Sequence, residues 1–133
     1  MAATIVNPES LAAPRGYSNG MLFPAGGRVL FVAGQIGWDR DGNFETGLVA
    51  QFALALRNVL DVVVAAGGSV QDLGRLTLYV VDKADYVTHH KAIGVAYRQV
   101  LGKHFPAMAL VEVNGLLEPR ALVEIEGTAV IGG

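Results

Sequence analysis

Cysteine is absent from the 133-residue chain. Without a thiol the protein has no disulfide framework, no thiolate metal site and no cysteine nucleophile. Charge is also scarce: charged residues make up 17% of the chain, no Lys/Arg cluster occurs, and the formal net charge is −2. Nucleic-acid binding through phosphate contacts is therefore not expected.

Long apolar runs are missing as well. No uninterrupted run approaches the ~20 apolar residues that a helix needs to cross a bilayer. The N-terminus lacks a basic segment followed by an apolar one, so it does not resemble a signal peptide. We expect a cytoplasmic protein with no membrane partner.

Apolar residues, in contrast, are plentiful, at 52% of the chain. The length is that of one domain, here residues 1–133, with room for a substantial core. A small chain with so few charges often covers part of its surface with copies of itself. We therefore expect an oligomer.

The last quarter of the chain contains two strand-like, antiparallel runs, Ala107–Val113 and Ala121–Val130, separated by the turn-rich segment Asn114–Arg120. In the second run apolar residues alternate with Glu124 and Glu126, which places both carboxylates on one face. The other face must lie against a core, because an isolated strand pair this apolar is not stable in water.

Earlier in the chain, Tyr17–Pro24 and Arg28–Ile36 have strand character, and the turn residues Ala25–Gly27 between them predict a hairpin. Pro8 and Pro14 limit regular structure in the segment before them. Gly34, inside the second of these strands, predicts a bulge or a close approach of another group to the backbone.

Two segments have helical periodicity. Leu48–Ala66 has apolar residues at three- and four-residue spacing and ends at a glycine pair, which is typical of a C-terminal cap. After a third strand, Arg75–Val81, Asp82 is a plausible N-cap for a second helix that ends near Gly102. The face of that helix includes Tyr86, His90, Ile93 and Tyr97. The order ββαβαββ predicts an α+β fold, a mixed sheet with two helices packed on one face.

Metal and phosphate sites are not indicated. His89 and His90 point roughly 100° apart on a helix, and His104 is too distant along it to converge with them. Neither GxGxxG nor GxxxxGKS occurs. We expect no metal and no cofactor.

Six segments together carry a family resemblance: GYS at 16–18, VLFVAGQI at 29–36, QFALALRNV at 51–59, AAGGSVQDLGRLTLYVVD at 65–82, FPA at 105–107 and VEIEGTAV at 123–130. In their order and spacing the chain resembles the RidA/YjgF family, several members of which hydrolyse enamines and imines. The resemblance implies a chorismate-mutase-like fold with a six-stranded mixed sheet. It also implies a homotrimer in the form of a barrel, with small-molecule pockets at the subunit interfaces.

The resemblance also shows a divergence. Deaminating members have an arginine directly after FPA, whose guanidinium binds the substrate carboxylate in a bidentate ion pair. Met108 stands there in this chain, and a thioether cannot replace that contact. Its loss is expected to weaken binding of an anionic substrate by on the order of several kcal/mol. Ala33 replaces the serine that usually precedes GQ, and His90 replaces the usual asparagine.

Glu124 matches the glutamate that positions the hydrolytic water in deaminating relatives, and a carboxylate near an imine carbon can act as a general base. Each candidate also has a purely structural interpretation: Glu124 as an interface or solvated residue, Met108 as apolar lining, His90 as an ordinary helix histidine. Arg120 is a candidate replacement for the missing cation, although a turn arginine is usually solvated. The candidate substrate-binding residues are Tyr17, Ala33, Gly34, His90, Met108 and Arg120.

Two functional hypotheses follow. In the first, the protein hydrolyses an enamine, an imine or a related metabolite, but not the usual 2-aminoacrylate type, with Glu124 directing the water. In the second, it is a non-catalytic trimeric binding module for a small apolar or aromatic metabolite or a protein partner. Ribonuclease activity, which some relatives carry in their names, is the least favoured because the chain is acidic overall.

Overall fold

The computed structural model describes residues 3–132. Within them the chain order is strand, strand, strand, helix, strand, helix, helix, strand, strand, which confirms the mixed α+β class. The elements are β1 (Thr4–Val6), β2 (Gly20–Leu22), β3 (Arg28–Ile36), α1 (Leu48–Ala65), β4 (Leu73–Val80), α2 (Lys83–Thr88), α3 (His90–Leu101), β5 (Ala107–Glu112) and β6 (Val123–Ile131); a short 3-10 helix (Val70–Asp72) precedes β4.

The main sheet has four strands in the order β3-β6-β4-β5. β6 is antiparallel to both of its neighbours, whereas β4 and β5 are parallel, so the sheet is mixed. The two C-terminal strands therefore do not pair with each other, because β4 lies between them. β5 is left as an edge strand, and this position matters for the site.

The predicted hairpin between the second and third strands is wrong. β2 pairs instead with β1, with Ile5 opposite Met21, and the pair forms a separate two-stranded sheet. The six strands implied by the resemblance are thus divided between two sheets. The prolines of the N-terminal segment lie beyond β1 and do not interrupt it. Gly26, at φ 93°, does form the predicted turn, but the turn does not join paired strands.

The predicted alternation along β6 is confirmed. Val123 and Ile125 are fully buried, whereas Glu124 and Glu126 lie on the opposite face and are only partly buried. The buried face packs against α1 and α3, so both helices lie on one side of the sheet, as predicted. On the other side, which we call the open face, Phe31 is 80% exposed.

Helix α1 supplies much of the core. Phe52, Val59 and Val63 are at most 1% exposed and face the sheet. The helix ends as predicted: Gly67, at φ 90°, donates its N–H to Val64 O, and Gly68 donates to Val63 O. Among the helices of residues 3–132, α1 has the length and composition of a membrane span. The core helices of soluble proteins share these properties, and the apolar side of α1 is packed on the sheet.

The second predicted helix is interrupted. Asp82 caps its start as expected, accepting hydrogen bonds from the backbone N–H groups of Ala84 and Asp85 at 3.0 and 3.3 Å. The helix then breaks at His89, which has φ −103° and ψ 16°, and α3 begins at His90. α2 has no fully buried residue, and its contact with the core is made by the partly buried Tyr86.

Candidate functional site

The segment that precedes β2 is attached to the edge strand. Ser18 donates its backbone N–H to Pro106 O at 3.1 Å, and its hydroxyl donates to Phe105 O. Ser18 also forms a parallel bridge with Ala107, the first residue of β5. These bonds hold the neighbouring Tyr17, which is 39% exposed, beside β5.

A cavity of about 510 Å³ lies between α3 and β5. Its size is that of a small-molecule site. Its walls are mainly apolar and aromatic, and they include Tyr17, Tyr86, Ile93, Tyr97, Phe105 and Met108. Three sequence candidates, Tyr17, His90 and Met108, thus share this cavity.

The inner wall of the cavity is well fixed. Tyr97 stacks on Phe105 with ring centroids 5.4 Å apart and planes 5° from parallel. The Tyr97 hydroxyl donates to His104 O at 2.6 Å. Burial raises the pKa of Tyr97 and of Tyr86, so both phenols are neutral over the physiological range. The wall therefore offers flat, uncharged surfaces to a ligand.

Met108 and His90 contribute different properties. Met108 pairs with the buried Leu76 of β4, which directs its half-buried thioether to the helix side of the sheet. The Nδ1 atom of His90 lies 2.9 Å from Val87 O. Because a carbonyl can only accept, this contact needs a proton on Nδ1, which leaves Nε2 as the acceptor of a neutral ring.

Glu124 occupies a second location, on the open face. A Cβ on Gly34 would lie 2.5 Å from Glu124 Oε2, so the carboxylate rests directly on the glycine backbone. The β3–β6 register shifts between Val32 and Gln35, which confirms the bulge and the close approach predicted at Gly34. Ala33 is exposed beside it.

Glu126, the next carboxylate on the same face, is already engaged. The Tyr79 hydroxyl donates to Glu126 Oε1 at 2.6 Å, and this hydrogen bond raises the pKa of Tyr79. The negative charge of Glu124 adds to that shift. Glu124 is thus the carboxylate of this pair without the tyrosine hydrogen bond.

The sheet separates the two locations within one chain. Glu124 is opposite Tyr79 on the open face, whereas Met108 is opposite Leu76 on the helix side. The residues predicted to form one site therefore form two half-sites: Tyr17, His90 and Met108 at the cavity, and Ala33, Gly34 and Glu124 on the open face.

Arg120 joins neither half-site. Its Nε donates to Glu118 Oε1 at 3.0 Å, and its guanidinium carbon lies 4.6 Å from the centre of the Phe44 ring. It is not among the residues that line the cavity. The guanidinium is held near the turn in which the residue occurs.

Sequence reasoning missed several cavity residues: Arg15, Gly94, Arg98 and Phe105. The tyrosine face of the predicted second helix is a usable signal, since Tyr86 and Tyr97 share it with His90. Arg98 lies one helical turn after Gly94, and its spacing alone does not identify it as a cavity residue. Within residues 3–132 no group of three or more metal-ligating side chains is arranged to hold an ion.

Known proteins match most of the length of this chain. Residues 8–131 match the family model described as endoribonuclease L-PSP. The Escherichia coli K12 protein TdcF, named as a candidate reactive intermediate deaminase, is 34% identical over 108 residues, covering 78% of this chain and 80% of its own. A human protein named 2-iminobutanoate/2-iminopropanoate deaminase is 32% identical, covering 79% of this chain and 74% of its own.

Solved structures agree with the fold. A Yersinia pestis protein, YyfB, described as a Rid family protein of unknown function, aligns with a TM-score of 0.86 and 32% identity, covering 98% of this chain and 100% of its own. Escherichia coli TdcF with bound serine aligns with a TM-score of 0.69 and 28% identity, covering 97% of this chain and 92% of its own.

Proposed function

The chain belongs to the RidA/YjgF family, and on that basis we propose that it hydrolyses an imine or enamine whose reactive end carries no carboxylate. Relatives at 32% and 34% identity have the names of imine or reactive intermediate deaminases, which supports deaminase chemistry at the level of the family. The observation that carries the finer proposal is Met108 in the wall of an apolar cavity.

Met108 decides what the reactive end of the substrate can be. Its sulfur offers no hydrogen-bond donor and no charge, and the wall around it is aromatic. A carboxylate placed against it would lose its hydration without gaining a partner, at a cost of roughly 2–5 kcal/mol compared with a paired one. An uncharged carbon skeleton fits this wall better.

The proposed hydrolysis needs a general base. Attack of water on the imine carbon requires that a proton leave the water, and the carbinolamine formed then loses ammonia to give a carbonyl compound. Glu124 is the proposed acceptor of that proton. The bare backbone of Gly34 leaves room for its carboxylate, since a Cβ there would lie 2.5 Å from Oε2.

A homotrimer is part of the proposal, because one chain holds the two half-sites on opposite faces of its sheet. In the assembly the Glu124 half of one protomer faces the cavity of a neighbour. Exposed apolar residues on the open face support such a contact: Val29 is 58% exposed, Phe31 80% and Val111 43%. Light scattering is expected to give three times the chain mass, and a monomer at micromolar concentration contradicts it.

Met108→Arg is the direct test of the substrate class. The native protein is expected to show negligible turnover of 2-iminopropanoate generated in situ. The arginine variant is expected to turn it over at least about tenfold faster, because recovering even about 1.4 kcal/mol of carboxylate binding corresponds to that factor. Met108→Leu, which keeps the wall apolar, is the control and is expected to gain nothing. Rapid deamination of 2-iminopropanoate by the native protein refutes the proposal.

A non-catalytic binding module is the second candidate, and one observation favours it: among residues 3–132 of a single chain, no carboxylate lines the cavity to act as a base. Glu124→Gln discriminates the two. Loss of imine hydrolysis with ligand binding retained supports the enzyme, whereas an unchanged rate removes the water-directing role and favours the binding module.

A further inference from the structure

The charged residues around the cavity all have one sign. Arg15 and Arg98 line it, and within residues 3–132 no Asp or Glu does. This is notable because the whole chain has 12 acidic and 10 basic residues. With low-dielectric walls behind them, these groups create a positive potential where the cavity opens, and that potential favours an anion.

Gly94 lies at the centre of this arrangement. It stands in the middle of α3, where glycine is a poor helix former compared with alanine. Its φ is not positive, so the backbone does not require glycine. A Cβ there would meet one described atom within 4 Å, Arg98 Nη1 at 3.4 Å. The missing side chain therefore leaves space in the cavity wall, with the Arg98 guanidinium directly over it.

Arg98 is available to a ligand. Within residues 3–132 no carboxylate forms an ion pair with it, in contrast to Arg120, which is held by Glu118. A guanidinium presents a planar fork of donors that matches a carboxylate. The stacked rings of Tyr97 and Phe105 line the same cavity and suit an aromatic group.

We propose that the cavity selects a small monoanion with an aromatic or branched apolar body, whose carboxylate pairs with Arg98 above Gly94. The inference deepens the proposed function and rests on it in taking this cavity as the ligand site. The charged group of the ligand then lies at the opening, and its uncharged end lies against Met108. This arrangement differs from a carboxylate bound at position 108 itself.

Equilibrium binding of two unreactive probes tests this without any need for turnover. Calorimetry compares 3-phenylpropanoate with its neutral amide, 3-phenylpropanamide, on the native protein. The acid is expected to bind more tightly, and more weakly as salt is raised. Arg98→Gln is expected to weaken the acid about three- to tenfold and the amide by less than about twofold.

Two further variants complete the test. Arg57→Gln removes an exposed helical arginine that does not line the cavity, and it is expected to leave both affinities unchanged. Gly94→Ala places a methyl group under the guanidinium and in the ligand space. It is expected to weaken the acid at least as much as Arg98→Gln while raising the thermal midpoint, because alanine is the better helix former.

Several results overturn the inference: equal affinity for acid and amide, no binding of either probe, equal effects of Arg98→Gln and Arg57→Gln, or an effect at Arg15→Gln with none at Arg98→Gln. Its failure is separable from failure of the proposed function. Hydrolysis of uncharged imines by a protein that does not prefer the acid leaves the proposed function standing. If the protein prefers the acid but hydrolyses no imine, the proposed enzymatic function is wrong and the proposed Arg98 site is retained.

Discussion

One buried side chain, Gln51, joins α1 to two loops, and its replacement by leucine gives a sharp test of the fold. Gln51 is 3% exposed. Its Nε2 donates to Glu45 O at 3.2 Å and to Arg120 O at 3.1 Å, and its Oε1 accepts from Leu122 N at 2.8 Å. It thereby fixes the backbone that leads into β6 and hence into Glu124.

The expected cost follows from the three partners that Gln51→Leu leaves behind. A buried polar group without a partner costs about 1–3 kcal/mol. The Leu122 N–H is the most affected of the three, because its single hydrogen bond goes to Gln51 Oε1. The two carbonyls are only partly buried, so water offsets much of their loss. Leucine has a similar size and recovers some apolar contact. We expect the free energy of unfolding to fall by about 2–4 kcal/mol.

Urea unfolding at a fixed protomer concentration measures this, because the stability of an oligomer depends on concentration. Asn58→Leu is a matched control. Asn58 also donates to two backbone carbonyls, Ile36 O at 3.2 Å and Trp38 O at 3.0 Å, but from a partly exposed position. Its loss is expected to cost about 1 kcal/mol. If Gln51→Leu costs no more than Asn58→Leu, the role assigned to Gln51 is wrong.

Two further predictions concern packing and pH. A Cβ on Gly37 would lie 2.5 Å from both Cα and Cβ of Gln51, so Gly37→Ala must move backbone and is expected to cost about 2–3 kcal/mol in urea unfolding. Gly115→Ala, where a Cβ meets open space, is expected to be nearly neutral, and equal losses contradict the packing argument. Burial raises the pKa of Tyr97 above its ordinary value of 10.0, so folding favours the protonated phenol. That contribution to the free energy of unfolding is complete below pH ~10 and declines as pH rises through the folded pKa. The stability difference between the native protein and Tyr97→Phe should therefore shrink above pH ~10. A stability difference that stays constant with pH contradicts this prediction.

Local rules predicted the parts of the fold that depend on adjacent residues. The glycine pair after α1, the Asp82 cap and the alternation of β6 are each specified by a few neighbouring positions, and each is present. The close approach at Gly34 is present for the same reason, since a glycine inside a strand usually accommodates a neighbour.

Features that depend on distant pairing were not predictable in this way. The turn at Gly26 gives no information about the partner of β2, which comes from the N-terminal segment. The break at His89 leaves the apolar spacing of the helix intact and is invisible to periodicity. The resemblance placed Glu124 and Met108 in one pocket, whereas strand register places them on opposite faces of the sheet in a single chain.

The edge position of β5 has a consequence for how the protein responds to a guest molecule. One side of that strand is held by β4 along its length, and the other is held mainly at its start, by Ser18. Met108 and Leu110 of the same strand line the cavity. A molecule that fills the cavity therefore also contacts an edge strand of the sheet. Its binding free energy is then expected to add to the free energy that keeps β5 paired with β4.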